Sequence, residues 1–392
     1  MGLNTTPMAE RIHIGIFGRR NAGKSSIINA LTGQALAIVS DVAGTTTDPV
    51  FKAMELLPLG PIVLIDTPGL DDIGELGRQR IEKTKEVLRK TDLAVLVQDS
   101  TVEETDEDRE ILEQIKERNI PYLIVKNKAD LLSEGKETED TLWVSAKTGM
   151  GIDRLKERIA ALVPQEETKR VVGDLLQPHD FVVLVVPIDT AAPKGRLILP
   201  QQQTIRDCLE AGAVPIVTRD HELAETLQAL GKKPRLVITD SQIFGKVAEL
   251  VPEDVPMTSF SILMARYKGE LAPNVKGARA LADLQDGDAV LISEGCTHHR
   301  QCEDIGTVKL PRWLENHTGK KLQFVFTSGR EFPKELSDYR LIVHCGGCML
   351  NEREMQYRLA QAAEQGVPMT NYGICIAAIH GILERSLAPL GI

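Results

Sequence analysis

Short apolar runs alternate with amphipathic stretches along most of the chain. In the first 165 residues the runs fall at 12–17, 62–65, 93–97, 122–125 and 142–144, with helix-like spacing over 78–89 and 107–117. Strands this short and apolar, separated by helical periodicity, predict a mostly parallel sheet covered on both faces. A polar break at 164–169 precedes a second alternation, with strands expected at 181–188, 214–218, 235–239 and 257–260 and helices at 202–211, 221–230 and 241–250. The last third is less regular, with one clear strand at 341–343 and an apolar helical run over 372–382. The expected fold class is α/β throughout, in three domains at 1–165, 175–268 and 269–392.

Composition narrows the partners. A chain of 392 residues exceeds one ordinary core. A net charge of -10 argues against a nucleic-acid-binding protein, because phosphate contacts need a basic footprint. The longest apolar run, 181–188, suits a buried strand and is too short for a membrane span. The first residues lack a charged-then-apolar secretory pattern, so a cytoplasmic protein with no membrane partner is expected. The six cysteines, Cys208, Cys296, Cys302, Cys345, Cys348 and Cys375, then suggest metal or catalysis more than disulfides.

Chemistry first enters at Gly18-Arg19-Arg20-Asn21-Ala22-Gly23-Lys24-Ser25, between the run 12–17 and a helix-like stretch. This is the strand–G-x-x-x-x-G-K-[ST]–helix setting of a phosphate-binding loop. Gly18, Asn21, Ala22, Gly23, Lys24, Ser25 and Ser26 are expected to line the phosphates, with Lys24 on the β/γ-phosphates and the Ser25 hydroxyl on Mg²⁺. Four further signals follow in order. Gly44-Thr45-Thr46-Thr47-Asp48 offers a threonine hydroxyl to Mg²⁺. Asp66-Thr67-Pro68-Gly69 offers a carboxylate to the Mg²⁺ shell and the Gly69 amide to the γ-phosphate. Asn127-Lys128-Ala129-Asp130 offers a carboxylate for guanine's N1–H and amine, and Ser145-Ala146-Lys147 can meet the guanine carbonyl. Each is weak alone; five in order, with three of the four signals after the phosphate loop bordering a predicted strand, are strong.

These residues resemble the translation-factor-like GTPases, in the branch containing Era, EngA and MnmE. The resemblance makes Thr46 the switch I threonine, places Asp66 and Gly69 at the start of switch II, and implies Lys24, Thr46 and Gly69 as the catalytic set. Residue 70 is Leu70 where Ras-type enzymes carry a water-orienting glutamine. Asn21 stands where potassium-activated members hold a cation, so GTP, Mg²⁺ and K⁺ are the implied ligands; the plainer reading of Asn21 is a residue tolerant of a tight turn.

The middle third reads as a small α/β unit without a phosphate loop and suits dimerisation. Cys208, in a helical run, reads as a small buried hydrophobe. Asp189 follows the most apolar strand on a loop containing Pro187 and Pro193. On residue type it is a turn residue; the sharper reading is a carboxylate aimed at a site.

In the last third, Cys296-Thr297-His298 and His344-Cys345-Gly346-Gly347-Cys348 carry the metal chemistry. Two thiolates three apart can hold one centre, and Cys296 can complete three points of attachment. Zinc and iron–sulfur clusters both accept such donors, and from spacing alone zinc, bound by Cys296, His298, Cys345 and Cys348, is the more frequent outcome. A G domain followed by C-x-H and H-C-x-x-C resembles the HydF family, maturation GTPases of FeFe-hydrogenase, over essentially the whole chain. The resemblance implies a 4Fe–4S cluster on Cys296, Cys345 and Cys348, with His298, His344 or Asp189 as a possible fourth ligand. It also implies a homodimer or higher oligomer that carries the di-iron subcluster, with radical-SAM maturases and the apo-hydrogenase as partners. The alternative is an RNA- or ribosome-associated GTPase with a structural zinc in its last domain.

Overall fold

The structure, a computed structural model, describes residues 6–33, 49–57, 59–67, 75–132, 138–163, 169–188, 197–269, 271–295, 305–329 and 331–392. The chain divides into two compact units, Met1–Glu166 and Glu167–Ile392.

The first unit is built on β1 (Ile12–Phe17), β2 (Val50–Leu56), β3 (Gly60–Asp66), β4 (Leu93–Asp99), β5 (Tyr122–Asn127) and β6 (Thr141–Trp143). Their order in the sheet is β2-β3-β1-β4-β5-β6, and every pairing is parallel except β2 with β3. The predicted runs become the interior strands because both faces are covered: Ile14, Ile16 and Val95 pack towards the helix Lys24–Thr32, while Phe17, Val63 and Leu96 pack on the other side. The strand β2 was not expected; its polar residues and half-exposed face are those of an edge. Helix Asp106–Glu117 starts at a capping box, Thr105 with Asp108, and carries three carboxylates in its first turn, matching the positive end of its dipole.

The second unit holds two all-parallel four-stranded sheets. One comprises β7 (Phe181–Val185), β8 (Val214–Thr218), β9 (Leu236–Thr239) and β10 (Met257–Ser259), in the order β10-β9-β7-β8. The other comprises β11 (Ala289–Glu294), β12 (Gln323–Ser328), β13 (Leu341–His344) and β14 (Met369–Asn371), in the order β12-β11-β13-β14. Reversed end for end, the two orders are the same, and so is the chain path through them.

The likeness extends to single residues. Val255-Pro256-Met257-Thr258 recurs as Val367-Pro368-Met369-Thr370, followed by the N-caps Ser259 and Asn371 and by two eight-residue helices, Phe260–Tyr267 and Tyr372–Ile379. Arg235 N–H donates to Phe181 O and Arg340 N–H to Ala289 O, both at 2.8 Å. Ser261 and Gly373, equivalent second residues of those helices, meet each other: a Cβ built on Gly373 would lie 2.5 Å from Ser261 Cβ. Equivalent residues touching one another place a pseudo-two-fold axis between them. One hydrophobic core runs through both sheets, from Val183 and Phe244 through Ile262 to Val343 and Ile376. Cys208 and Cys375 are fully buried on helices, and burial pushes both thiols up to about 12. Among the described residues, no helix is long and apolar enough to cross a membrane.

Candidate functional sites

At the end of β1 the loop turns into the helix Lys24–Thr32 through Gly23, the N-cap, at φ 93°. Only glycine fits: the conformation is left-handed, and a Cβ would lie 2.1 Å from Asn127 Nδ2. Asn21 also has a positive φ, of 60°, a backbone that asparagine tolerates better than most residues. The buried Lys24 arches over the loop, its Nζ donating to Gly18 O at 2.8 Å and Arg19 O at 2.9 Å. Ser25 Oγ donates to Asp66 Oδ2 at 2.9 Å, so a hydroxyl and a carboxylate oxygen meet where β1 and β3 end. Burial raises the Asp66 carboxyl above its ordinary range, against the Ser25 hydrogen bond and the charges of Lys24 and Lys52. Two hard oxygen donors beside a lysine fit a Mg²⁺-bound phosphate.

Asn127, at the end of β5, joins two loops. Its Nδ2 donates to Ala22 O at 3.0 Å, and its Oδ1 accepts from Ala146 N–H at 3.1 Å. The residue is therefore a clamp between the phosphate loop and the Ser145-Ala146-Lys147 loop. Lys128 reaches back to Asp99 at the end of β4, Nζ to Oδ2 at 2.5 Å. Burial works against the charged Asp99, but hydrogen bonds from Lys128 and Thr101 outweigh it and hold the carboxyl below its ordinary range. Asp130 stands exposed in the turn Ala129–Leu131, while the buried Ser145 Oγ accepts from Thr148 N–H at 3.2 Å and Lys147 is exposed. Ser26 lies in the first turn of the helix. Thr46 and Gly69 lie outside the described residues. Sequence reasoning missed Asp99 and the pairing of Arg19 Nε with the buried Asp108 at 3.5 Å, because both partners come from distant strand ends or helices.

In the second unit the chain leaves β11 towards β12 and returns on the other side at β13. Such a switch point opens a crevice at the carboxyl ends of the strands. Cys345 stands there: its N–H donates to Ser293 O at 2.9 Å, and its Sγ accepts from Gly295 N–H at 3.0 Å and Gly347 N–H at 3.4 Å. Gly295 directly precedes Cys296. Cys348 is half-buried; burial and then the neighbouring Cys345 push its thiol up to about 11, with the Lys268 ammonium acting in the opposite direction. Backbone N–H groups aimed at a sulfur stabilise a thiolate, so the donors present fit a thiolate-bound metal.

His344 is fully buried, with Nε2 3.0 Å from Arg358 Nη1 and Nδ1 2.7 Å from Cys345 O. A guanidinium only donates, so Nε2 accepts and Nδ1–H donates to the carbonyl. Both nitrogens are engaged, and in this arrangement His344 orients the Cys345 backbone and offers no lone pair to a metal. Arg358 is itself fully buried; it donates from Nε to Glu354 Oε1 at 3.0 Å and lies over the Phe332 ring, 5.0 Å from its centroid. Cys296, His298, Cys302 and Asp189 lie outside the described residues. Among the described residues no three His, Cys, Asp or Glu side chains group around a metal position.

The fold and loops of the first unit define a P-loop GTPase domain. Residues 13–128 match the family model described as a 50S ribosome-binding GTPase. Residues 171–269 match the hydrogen maturase F dimerization domain and residues 272–389 the hydrogen maturase F tetramerization domain. With these three domains the chain belongs to the hydrogen maturase F family, the hydrogenase maturation GTPases also written HydF.

Among curated proteins the chain is similar to the tRNA modification GTPase MnmE of Nitrosomonas europaea, 37% identical over 38% of this chain and 34% of that protein. It is also similar to MnmE of Aquifex aeolicus, 37% identical over 48% of this chain and 41% of that protein. The chain thus spans well under half the length of these relatives. Among solved structures, Aquifex aeolicus Era bound to GDP and AlF4⁻ is 20% identical, with a TM-score of 0.37, over 56% of this chain and 98% of that one.

Proposed function

We propose that this chain is a GTP-hydrolysing, cytoplasmic scaffold that holds a 4Fe–4S cluster and carries the di-iron subcluster to apo FeFe-hydrogenase. The observation that carries the cluster reading is the hydrogen bond from Gly295 N–H to Cys345 Sγ, 3.0 Å long. It brings the residue before Cys296 into contact with the loop bearing Cys345 and Cys348, at the one crevice that the strand order opens between β11 and β13. Those three cysteines are the proposed ligands in a domain at 269–392, with dimerisation through 175–268 and nucleotide binding in 1–165. A 4Fe–4S cluster on three cysteines leaves one iron for another ligand or for cargo. The chain's own part is to aim N–H donors at the sulfur and to hold the loop still.

In the first unit Lys24 binds the β/γ-phosphates of GTP, Ser25 and Asp66 hold Mg²⁺, Thr46 and Gly69 close on the γ-phosphate, and Asp130 reads guanine. Asn21 binds K⁺, which supplies the charge that an arginine finger supplies elsewhere. Radical-SAM maturases and the apo-hydrogenase are the proposed partners. The RNA-associated alternative, with a structural zinc in its last domain, is less favoured because 171–269 and 272–389 match hydrogen maturase F domains.

The test separates the two sites. Cys345→Ala and Cys348→Ala, reconstituted anaerobically, should lose iron, sulfide and hydrogenase activation while still hydrolysing GTP, and Lys24→Ala should lose nucleotide binding and keep iron. Cysteine variants that keep their iron would sink the reading.

A further inference from the structure

Lys268 ends the helix Phe260–Tyr267 in the region matching the dimerization domain, yet its side chain works in the other half of the unit. It is only 6% exposed, and its Nζ donates to Gly347 O and, at 2.9 Å, to Leu350 O. Those two carbonyls bracket Cys348. Leu350 N–H also donates to Gly347 O at 3.0 Å, so Cys348 and Met349 are the corners of a turn whose ends the ammonium ties together. A lysine is rarely this buried, because its charge loses water; hydrogen bonds to carbonyl dipoles must offset the loss.

The pseudo-symmetry shows what the fold itself needs at this point. The equivalent helix, Tyr372–Ile379, ends at His380. The His380 ring reaches across in the same way and packs on Gly245: a Cβ there would lie 2.9 Å from its Nδ1. A side chain crosses between the halves at both places, an imidazole at one and the lysine ammonium on the cysteine side.

We propose that Lys268 is a positioning residue for the thiolate loop and that its charge raises the reduction potential of the cluster held there. The second half of this rests on the cluster reading above. Reduction adds an electron to a centre already made negative by thiolates, and a fixed cation in a half-buried site favours the reduced form.

The full-length chain is tested as Lys268→Met and as Lys268→His at pH 8, where an imidazole is neutral. The histidine is the residue the molecule already accepts at the symmetric place, so it guards against a variant that fails to fold. In the metal-free protein, the Leu350 amide, whose N–H closes the turn on Gly347 O, should exchange its hydrogen at least about tenfold faster in either variant, the smallest factor expected for losing two hydrogen bonds from a charged donor. In the reconstituted protein, the midpoint in a dithionite titration should move to more negative potential, with GTP hydrolysis and oligomer size unchanged. Unaltered exchange and an unaltered midpoint would overturn the proposal. A wild-type chain that takes up no iron would refute the cluster reading instead, and the exchange rate would then decide the positioning role alone.

Discussion

The two parallel sheets of the second unit share strand order, helix caps and turns, and differ where β9 and β13 end. There Thr239-Asp240-Ser241 of one sheet faces its counterpart His344-Cys345-Gly346 in the other. Asp240 Oδ1 accepts from Gln242 N–H at 3.0 Å, the ordinary cap of a tight turn. Cys345 Sγ accepts from Gly347 N–H, also two residues on, at 3.4 Å. The fold thus presents an N–H to an acceptor side chain at this strand end in both sheets. Replacing a carboxylate by a thiol puts a soft sulfur where the other sheet has its turn cap, without altering the backbone plan. What differs is the surroundings: the buried Thr239 donates its hydroxyl to Asp240 O at 3.3 Å, whereas His344 is held by a buried Arg358–Glu354 pair and the loop by Lys268.

The comparison breaks most sharply if the first sheet's residue is written into the second. Cys345→Asp should keep the fold, since Asp240 sits in the same turn, and should lose most of its iron, because a carboxylate is a poor replacement for a thiolate at cluster iron. Metal analysis beside size-exclusion chromatography reads both parts. A variant that retains full iron would show that the sulfur at 345 is dispensable.

A smaller effect tests the pseudo-two-fold axis. Gly373→Ser should cost about 1–3 kcal/mol through overpacking against Ser261. Adding Ser261→Gly exchanges the pair across the axis and should restore most of that stability, measured as denaturant midpoints at constant slope. No recovery in the double variant would mean that the two helices are not equivalent.

The smallest effect separates the sheets by pH. Asp207 accepts from Val172 N–H at 2.8 Å and Gly173 N–H at 2.7 Å, and pairs with Arg170 at 3.0 Å. Burial opposes its charge, but these partners outweigh burial and hold its carboxyl below the ordinary range. Its stabilisation is therefore present at neutral pH and fades as pH falls below about 4 and through the lowered value. Hydrogen exchange at acid pH should loosen 170–175 in the wild type, and Asp207→Asn should remove that pH dependence.

Much of this was legible in the chain. The nucleotide loops are local motifs bordering apolar strands, and the strands announce themselves because both faces are buried. The half-exposed edge strands β2 and β12 did not, and neither did β11 and β14, which are buried but too short or too mixed with polar residues to stand out. The repeat was hidden because its matching segments are short and the loops between them differ in length. Glu354 and Arg358 have the i,i+4 spacing of an ordinary solvated helix pair and drew no notice in the sequence, yet Arg358 has no exposed surface. Nothing local marks Lys268, whose role comes from packing between segments 79 residues apart.

The central claim is that this loop holds iron and sulfide in a hydrogenase maturation GTPase. The direct measurement is the metal and sulfide content and visible absorption of the full chain after anaerobic reconstitution with iron, sulfide and zinc all offered. The account predicts a brown protein with iron and sulfide in equal amounts, bleached by dithionite. A colourless protein carrying one zinc per chain would contradict it.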